Sequence, residues 1–225
     1  MPLCNGHVMA RWPMWRKRLS EWCEQLTLWT RERRVKRVQQ SNILLDFHPV
    51  FGDANLADAL AGHVAQLMPR AGLFLDEMAQ LLDELPVALD RFGRLSGDDE
   101  GAPHENALNL KRQGLLPLVN AVRLLSLRHG VRVPDTRRRL SALVLKEALT
   151  ARQARAGIAA LDRLQERLLT EQSINLKAGE PPMDGSTSPG SRMTTDCCCG
   201  TTCRRFEAWS DWHRGAPAGN SSSLL

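Results

Sequence analysis

No apolar run in the 225-residue chain approaches the roughly eighteen residues that a membrane-crossing helix needs. The N-terminus lacks the apolar stretch of a secretory signal too, since Trp12, Pro13 and Trp15 stand among Arg11, Arg16, Lys17 and Arg18. A cytoplasmic protein with no membrane partner is the expectation. The chain has no G-x-x-x-x-G-K-[ST] phosphate loop, no G-x-G-x-x-G, no H-E-x-x-H and no G-x-S-x-G, so it holds no self-sufficient catalytic motif. Cysteine is scarce where a fold would use it. Of the six, Cys197, Cys198, Cys199 and Cys203 crowd one Gly/Ser/Thr-rich tail, while Cys4 and Cys23 stand alone. A disulfide framework is excluded on that distribution. Adjacent cysteines cannot easily converge on one tetrahedral ion and no C-x-x-C pair is present, so these residues and His213 are not read as a zinc site.

A hydrophobic fraction of 43% is enough to bury a core. The net charge of +5 hides a segregation along the chain. Residues 11–37 hold nine basic side chains against Glu21, Glu24 and Glu32, and residues 53–105 hold eleven acidic ones against Arg70, Arg91 and Arg94. Residues 111–139 reverse the sign again, with eight basic side chains against Asp135. Two readings follow: solvated helix faces that complement each other within the fold, or an anion-binding concavity built from the basic segments.

Trp15, Leu19, Trp22, Leu26 and Trp29 recur at steps of four and three, which places them on one stripe of a helix over about residues 14–34. Such a stripe is a core seam before it is an aromatic platform. "SNILLDFHPVFGD" has a partly branched apolar run ended by Pro49 and Gly52, and reads as a short strand with a turn. Asp53 then caps a helix marked by Leu56, Leu60, Val64 and Leu67 and closed by Pro69, and another follows at Leu75, Met78, Leu82 and Leu85, closed by Pro86. "LDRFGRL" and "NALNLKR", separated by "SGDDEGAPHE", form a candidate small hairpin. Asp98 and Asp99 within that spacer are adjacent and would point to opposite faces of a strand, so they make an exposed acidic loop rather than a metal site. Helices are predicted over 115–128 with Gly130 at C′, over 135 or 136 to 149, and over about 151–176. The fold class is mainly α: a helical bundle with a short strand and a small hairpin. After Gly179 the periodicity stops, and residues 181–225 have the composition of a disordered tail.

Single residues carry paired readings. Lys111 and Arg112 are hairpin-end charges or ligand contacts, and His129 closes its helix at the negative dipole end or binds substrate. Cys4 is a small buried residue or a nucleophile. Asp46, among Leu44, Leu45 and Phe47, needs a partner, and either pairs with a basic side chain or faces a cleft.

Three blocks carry a resemblance: "PLCNGHVMARWPMWRKRLSEWCEQLTLW", "NILLDFHPVFGDANLADAL" and "LNLKRQGLLPLVNAVRLLSLRHGV". Together, and in that order, they resemble a bacterial nucleotidyltransferase family related to PII-protein uridylyltransferase, whose members often carry CBS and cyclic-nucleotide-binding domains. The resemblance spans about residues 2–182 and implies the substrate-binding half of such an enzyme. The family's Gly-Ser and Asp-x-Asp metal motif lies upstream of the first block, so residues 1–40 are expected to continue from a missing catalytic domain, which is the implied partner. Residues 41–180 are then the helical substrate-binding domain. Mg²⁺ and a nucleoside triphosphate are implied for a complete family member, with no cofactor in this chain. Substrate-binding roles fall on Lys111, Arg112, Arg123 and Asp46, and no catalytic or metal-binding residue is expected. Asn109 and Asn120 replace aspartates of the family pattern, His48 an arginine, and Trp12 an asparagine. Common GC-rich codons for "DGSTSPGSRMTTDCCCGTTC", read from the third base, give an amphipathic stretch similar to the family's last helix, so the tail is read as disordered or frameshifted. Two other functions compete: a helical module that binds a regulatory protein, and a nucleic-acid binder. The second is disfavoured because the tryptophans among the basic residues lie on the presumed buried stripe.

Overall fold

The computed structural model describes residues 12–32, 35–87 and 108–180. Seven α-helices form among them: α1 Leu19–Glu32, α2 Val35–Leu44, α3 Ala54–Leu67, α4 Gly72–Asp83, α5 Leu116–Arg128, α6 Thr136–Leu145 and α7 Ala151–Lys177. No sheet forms among the described residues, and the chain is mainly α. The proposed hairpin loop with Asp98 and Asp99, Cys4, and the tail over 181–225 lie outside the described residues.

Local chemistry fixes most helix ends. The Arg18 N–H donates to Glu21 Oε2 at 2.6 Å, which satisfies a backbone donor ahead of α1. Asp53 accepts from the Asn55 N–H and Asp135 from the Arg138 N–H, capping α3 and α6. At the far end of α5 the Val131 N–H reaches the Ser126 carbonyl and the Gly130 N–H that of Leu127. This paired closure needs a left-handed residue at C′, and Gly130 supplies it with φ +64. The end of α6 closes the same way, through Ala148 to Leu143 and Glu147 to Val144, yet its left-handed residue is Glu147 with φ 56.

The chain divides into two compact units, each discontinuous in sequence: residues 1–84 with 122–151, and 85–121 with 152–225. In the first, α1 packs on α2 and α3, and α2 on α4. Leu26, Trp29, Val38, Met68, Phe74 and Leu75 are the centre of its core. Trp29 is in the core with Trp22 packed against it, 6.4 Å away with an edge-on ring, whereas Trp15 lies ahead of α1 in the short 3-10 turn Pro13–Trp15, 6.1 Å from Trp22, so the helix begins later than the stripe suggested. Ring pairs at this separation add attraction beyond area burial. In the second unit a π-helical turn, Lys111–Leu115, leads into α5. It lies so close to α7 that a Cβ on Gly114 would meet Leu164 Cδ2 at 2.8 Å.

Two expectations need correction. The strand predicted at "SNILL" is the last turn of α2 and the bend after it. Val38, Ser41 and Leu45 are its buried stripe at helical spacing, and Ser41 sits in the core because its hydroxyl donates to the Arg37 carbonyl at 2.8 Å. A serine at a core position hid the helical period. The described part of "NALNLKR" is also not a strand, for the chain turns helical at Leu110. Asn109 Oδ1 accepts the Arg112 N–H at 2.9 Å, while Gln113 Oε1 accepts the Asn109 N–H at 2.9 Å. These two side-chain caps are a helix start, and they give Asn109 a role that the aspartate of the family pattern would fill equally well.

Candidate functional site

Asp46 follows α2 directly and meets two arginines from later helices of the same unit. Arg123, midway along α5, donates from Nε to Asp46 Oδ2 at 3.0 Å and also from its NH2 to that oxygen. Arg139, in the first turns of α6, brings its NH2 within 2.7 Å of Asp46 Oδ1. That second contact is a close ion pair without an aligned donor at Oδ1. Arg139 is oriented by its Nε, which donates to the Val133 carbonyl at 2.8 Å. Its remaining nitrogen, NH1, is buried and has no acceptor among the described residues.

The electrostatics follow from burial. Loss of solvent pushes the Asp46 carboxyl up, but the hydrogen bond from Arg123 and the charges of Arg139 and Arg123 outweigh it and hold the group below the ordinary carboxylate range. Burial likewise lowers the Arg139 pKa, against the pull of Asp46. Arginine still keeps its charge at neutral pH. Within contact distance, therefore, two guanidiniums share one carboxylate. Guanidinium forks match phosphate and carboxylate oxygens in pairs, so a site with this surplus suits an anionic group.

Of the four residues named from sequence, Arg123 and Asp46 are brought together here. Lys111 and Arg112 belong to the second unit, where both are exposed on the π-helical turn. Arg139 was missed, submerged in the run Arg137, Arg138, Arg139. Its phase gave it away, because Leu143 follows four positions later and only Arg139 of the three shares that buried face. His129 lies at the end of α5, half-buried, with its pKa pushed down by burial and then by the charges of Arg128 and Lys146. The imidazole is therefore kept neutral, and the favourable dipole expected for a protonated ring is outweighed. Elsewhere in the unit an open groove of about 630 Å³ runs beside α1, where Thr27 lies 3.3 Å from His63 Nε2. No group of side chains suited to a metal ion occurs among the described residues.

A mainly helical protein in which a buried arginine pair shares one carboxylate is the class that these features define. A family model described as "Putative nucleotidyltransferase substrate binding domain" matches residues 72–185, just over half the chain, and a nucleotidyltransferase model matches residues 1–36. The chain belongs to this nucleotidyltransferase substrate-binding family. Arg123 and Arg139 fall inside the longer match, and Asp46 between the two. No curated protein and no solved structure matches the chain. No helix among the described residues is long and apolar enough to cross a membrane.

Proposed function

We propose that this chain is the substrate-recognition part of a PII-uridylyltransferase-like nucleotidyltransferase, acting in the cytoplasm and holding a phosphate-bearing substrate for a catalytic domain. The observation that carries this reading is the Arg123–Asp46–Arg139 cluster, whose positive surplus is enclosed within a family defined by substrate binding. Lys111 and Arg112, in the other unit, are exposed charges of a kind suited to phosphate on a turn of their own. The sequence has no Gly-Ser followed by Asp-x-Asp, so metal and transfer chemistry belong to the catalytic partner, with Mg²⁺ and the nucleoside triphosphate.

Calorimetric titration of the purified chain with uridine triphosphate tests this reading. Saturable binding that weakens by about tenfold or more in Arg123→Ala is expected, since a charge-assisted contact contributes on the order of 1.5–3 kcal/mol. Absence of binding in the unaltered chain refutes it. Pyrophosphate release by this chain alone would refute the division of labour.

A second reading rests on a different observation. Val50 and Phe51, between α2 and α3, are 89% and 101% exposed, and large apolar side chains presented this fully suit a protein partner. A non-catalytic module that docks a regulatory protein would lose that partner in Phe51→Ser while keeping its affinity for the triphosphate.

A further inference from the structure

Solvent meets the arginine cluster at its carboxylate. The Asp46 side chain is 29% exposed, whereas that of Arg123 is 11% and that of Arg139 only 3% exposed. Of the three side chains, the carboxylate is the one most open to solvent. Asp46 satisfies the two arginines incompletely, because Arg139 NH1 has no acceptor among the described residues and a buried donor left unpaired is costly. Asp135, at the cap of α6, adds only a weaker attraction to Arg139.

Asp46 also anchors a loop. The segment over 47–52 is tied at one end by the two arginines and at the other by Asp53, which caps α3. Between these ties stand the exposed Val50 and Phe51, and Gly52 takes a left-handed conformation with φ 93. The Asp46 carboxylate thus holds one root of that loop.

We propose that Asp46 is a built-in stand-in for substrate: a phosphate group displaces its carboxylate from Arg123 and Arg139, and the freed Asp46 loosens the 47–52 loop. This rests on the phosphate reading above and adds the order of events at the same site. The exchange favours phosphate for a reason of charge. A phosphate monoester carries about −1.5 to −2 at neutral pH and three acceptor oxygens, so it balances both guanidiniums and offers Arg139 NH1 a partner. A carboxylate ligand brings only what Asp46 already supplies. Site occupancy is thereby converted into mobility of an exposed apolar loop, which a partner domain can sense.

The experiment is calorimetry on the full chain with inorganic phosphate, uridine triphosphate and acetate as probes. Asp46→Asn removes the competitor, and phosphate should bind it at least about tenfold more tightly than the unaltered chain, with acetate still unbound. Asp76→Asn, which frees Arg128 from a 2.9 Å surface pair, is the control for net charge and should leave affinity nearly unchanged. Binding by the triphosphate alone, with the same gain in Asp46→Asn, supports the proposal and assigns the phosphate to a nucleotide. An equal gain in both variants overturns it. Binding to the unaltered chain without a gain in Asp46→Asn sinks the displacement while the substrate reading stands, and binding to neither sinks both. Hydrogen exchange on the unaltered chain guards against a misfolded variant: saturating phosphate should accelerate exchange over 47–52, and unchanged or slower exchange there contradicts the proposal.

Discussion

Replacing Gly130 by alanine isolates how α5 is turned into the segment leading to α6. Gly130 adopts φ +64, and a Cβ there would lie 2.9 Å from the Ala65 carbonyl oxygen and 3.5 Å from Pro69 Cγ. The left-handed conformation costs an L-residue about 1–2 kcal/mol. Alanine returns about 0.4–1 kcal/mol by restricting the unfolded chain. The contact adds a strain term, because its neighbour is backbone of α3 and cannot rotate aside, and overpacking of this kind costs about 1–3 kcal/mol. The net loss is about 2–4 kcal/mol, which lowers Tm by roughly 4–16 °C in a chain of this size. Gly179→Ala separates the terms, since Gly179 has φ +77 but nothing within 4 Å of a new Cβ. It should lose only about 1 kcal/mol or less. Thermal melts followed by circular dichroism at 222 nm give both values. Equal shifts in the two variants, or a Gly130→Ala melt within about 1 °C of the parent, would refute the contact with α3 as the deciding cost.

Glu147→Gly at the left-handed position after α6 should stabilise the chain by about 0.5–1 kcal/mol, read as a higher midpoint in urea, whereas a loss would show that the Glu147 side chain compensates its backbone. His129 is held neutral by burial, so the unfolded chain binds the extra proton, and stability falls as pH drops from about 6.5 through the lower folded value. His129→Gln should flatten that slope, and an unchanged pH profile would exclude His129 as its source. Asp46 works at lower pH: its depressed folded pKa contributes stability that is present above about 3.9 and lost as pH falls through the folded value, and Asp46→Asn should remove that part of acid unfolding. Arg139→Leu leaves the Val133 carbonyl without its donor and Asp46 with one guanidinium, and should cost about 2–4 kcal/mol in a denaturant melt.

The helical periods were legible because apolar spacing and caps agree. Leu60 and Val64 beneath the Asp53 cap, and Gly130 after α5, mark elements that the sequence placed within a few residues. α2 was lost because Ser41 occupies a core position and the apolar run of Ile43, Leu44, Leu45 and Phe47 before Pro49 mimics a strand. The start at Leu110 was missed because its signal is a pair of side-chain caps, Asn109 on the Arg112 N–H and Gln113 on the Asn109 N–H, which no apolar pattern records. Asp46 drew notice as a charge among apolar neighbours, and the structure gives it two partners, 77 residues away in Arg123 and further still in Arg139. Arg139 was hidden for a related reason: a basic triplet reads as solvated surface until one member is seen to share a helix face with Leu143.

The guanidinium Nε–Hε resonances of Arg123 and Arg139 report on the cluster directly, since each proton is held by a defined acceptor, Asp46 for Arg123 and the Val133 carbonyl for Arg139. Titration of the ¹⁵N-labelled chain with uridine triphosphate should move both resonances along one saturable curve that matches the calorimetric affinity. Perturbation of surface arginines alone, with these two resonances unmoved at saturation, would contradict the assignment of this cluster as the substrate's phosphate site.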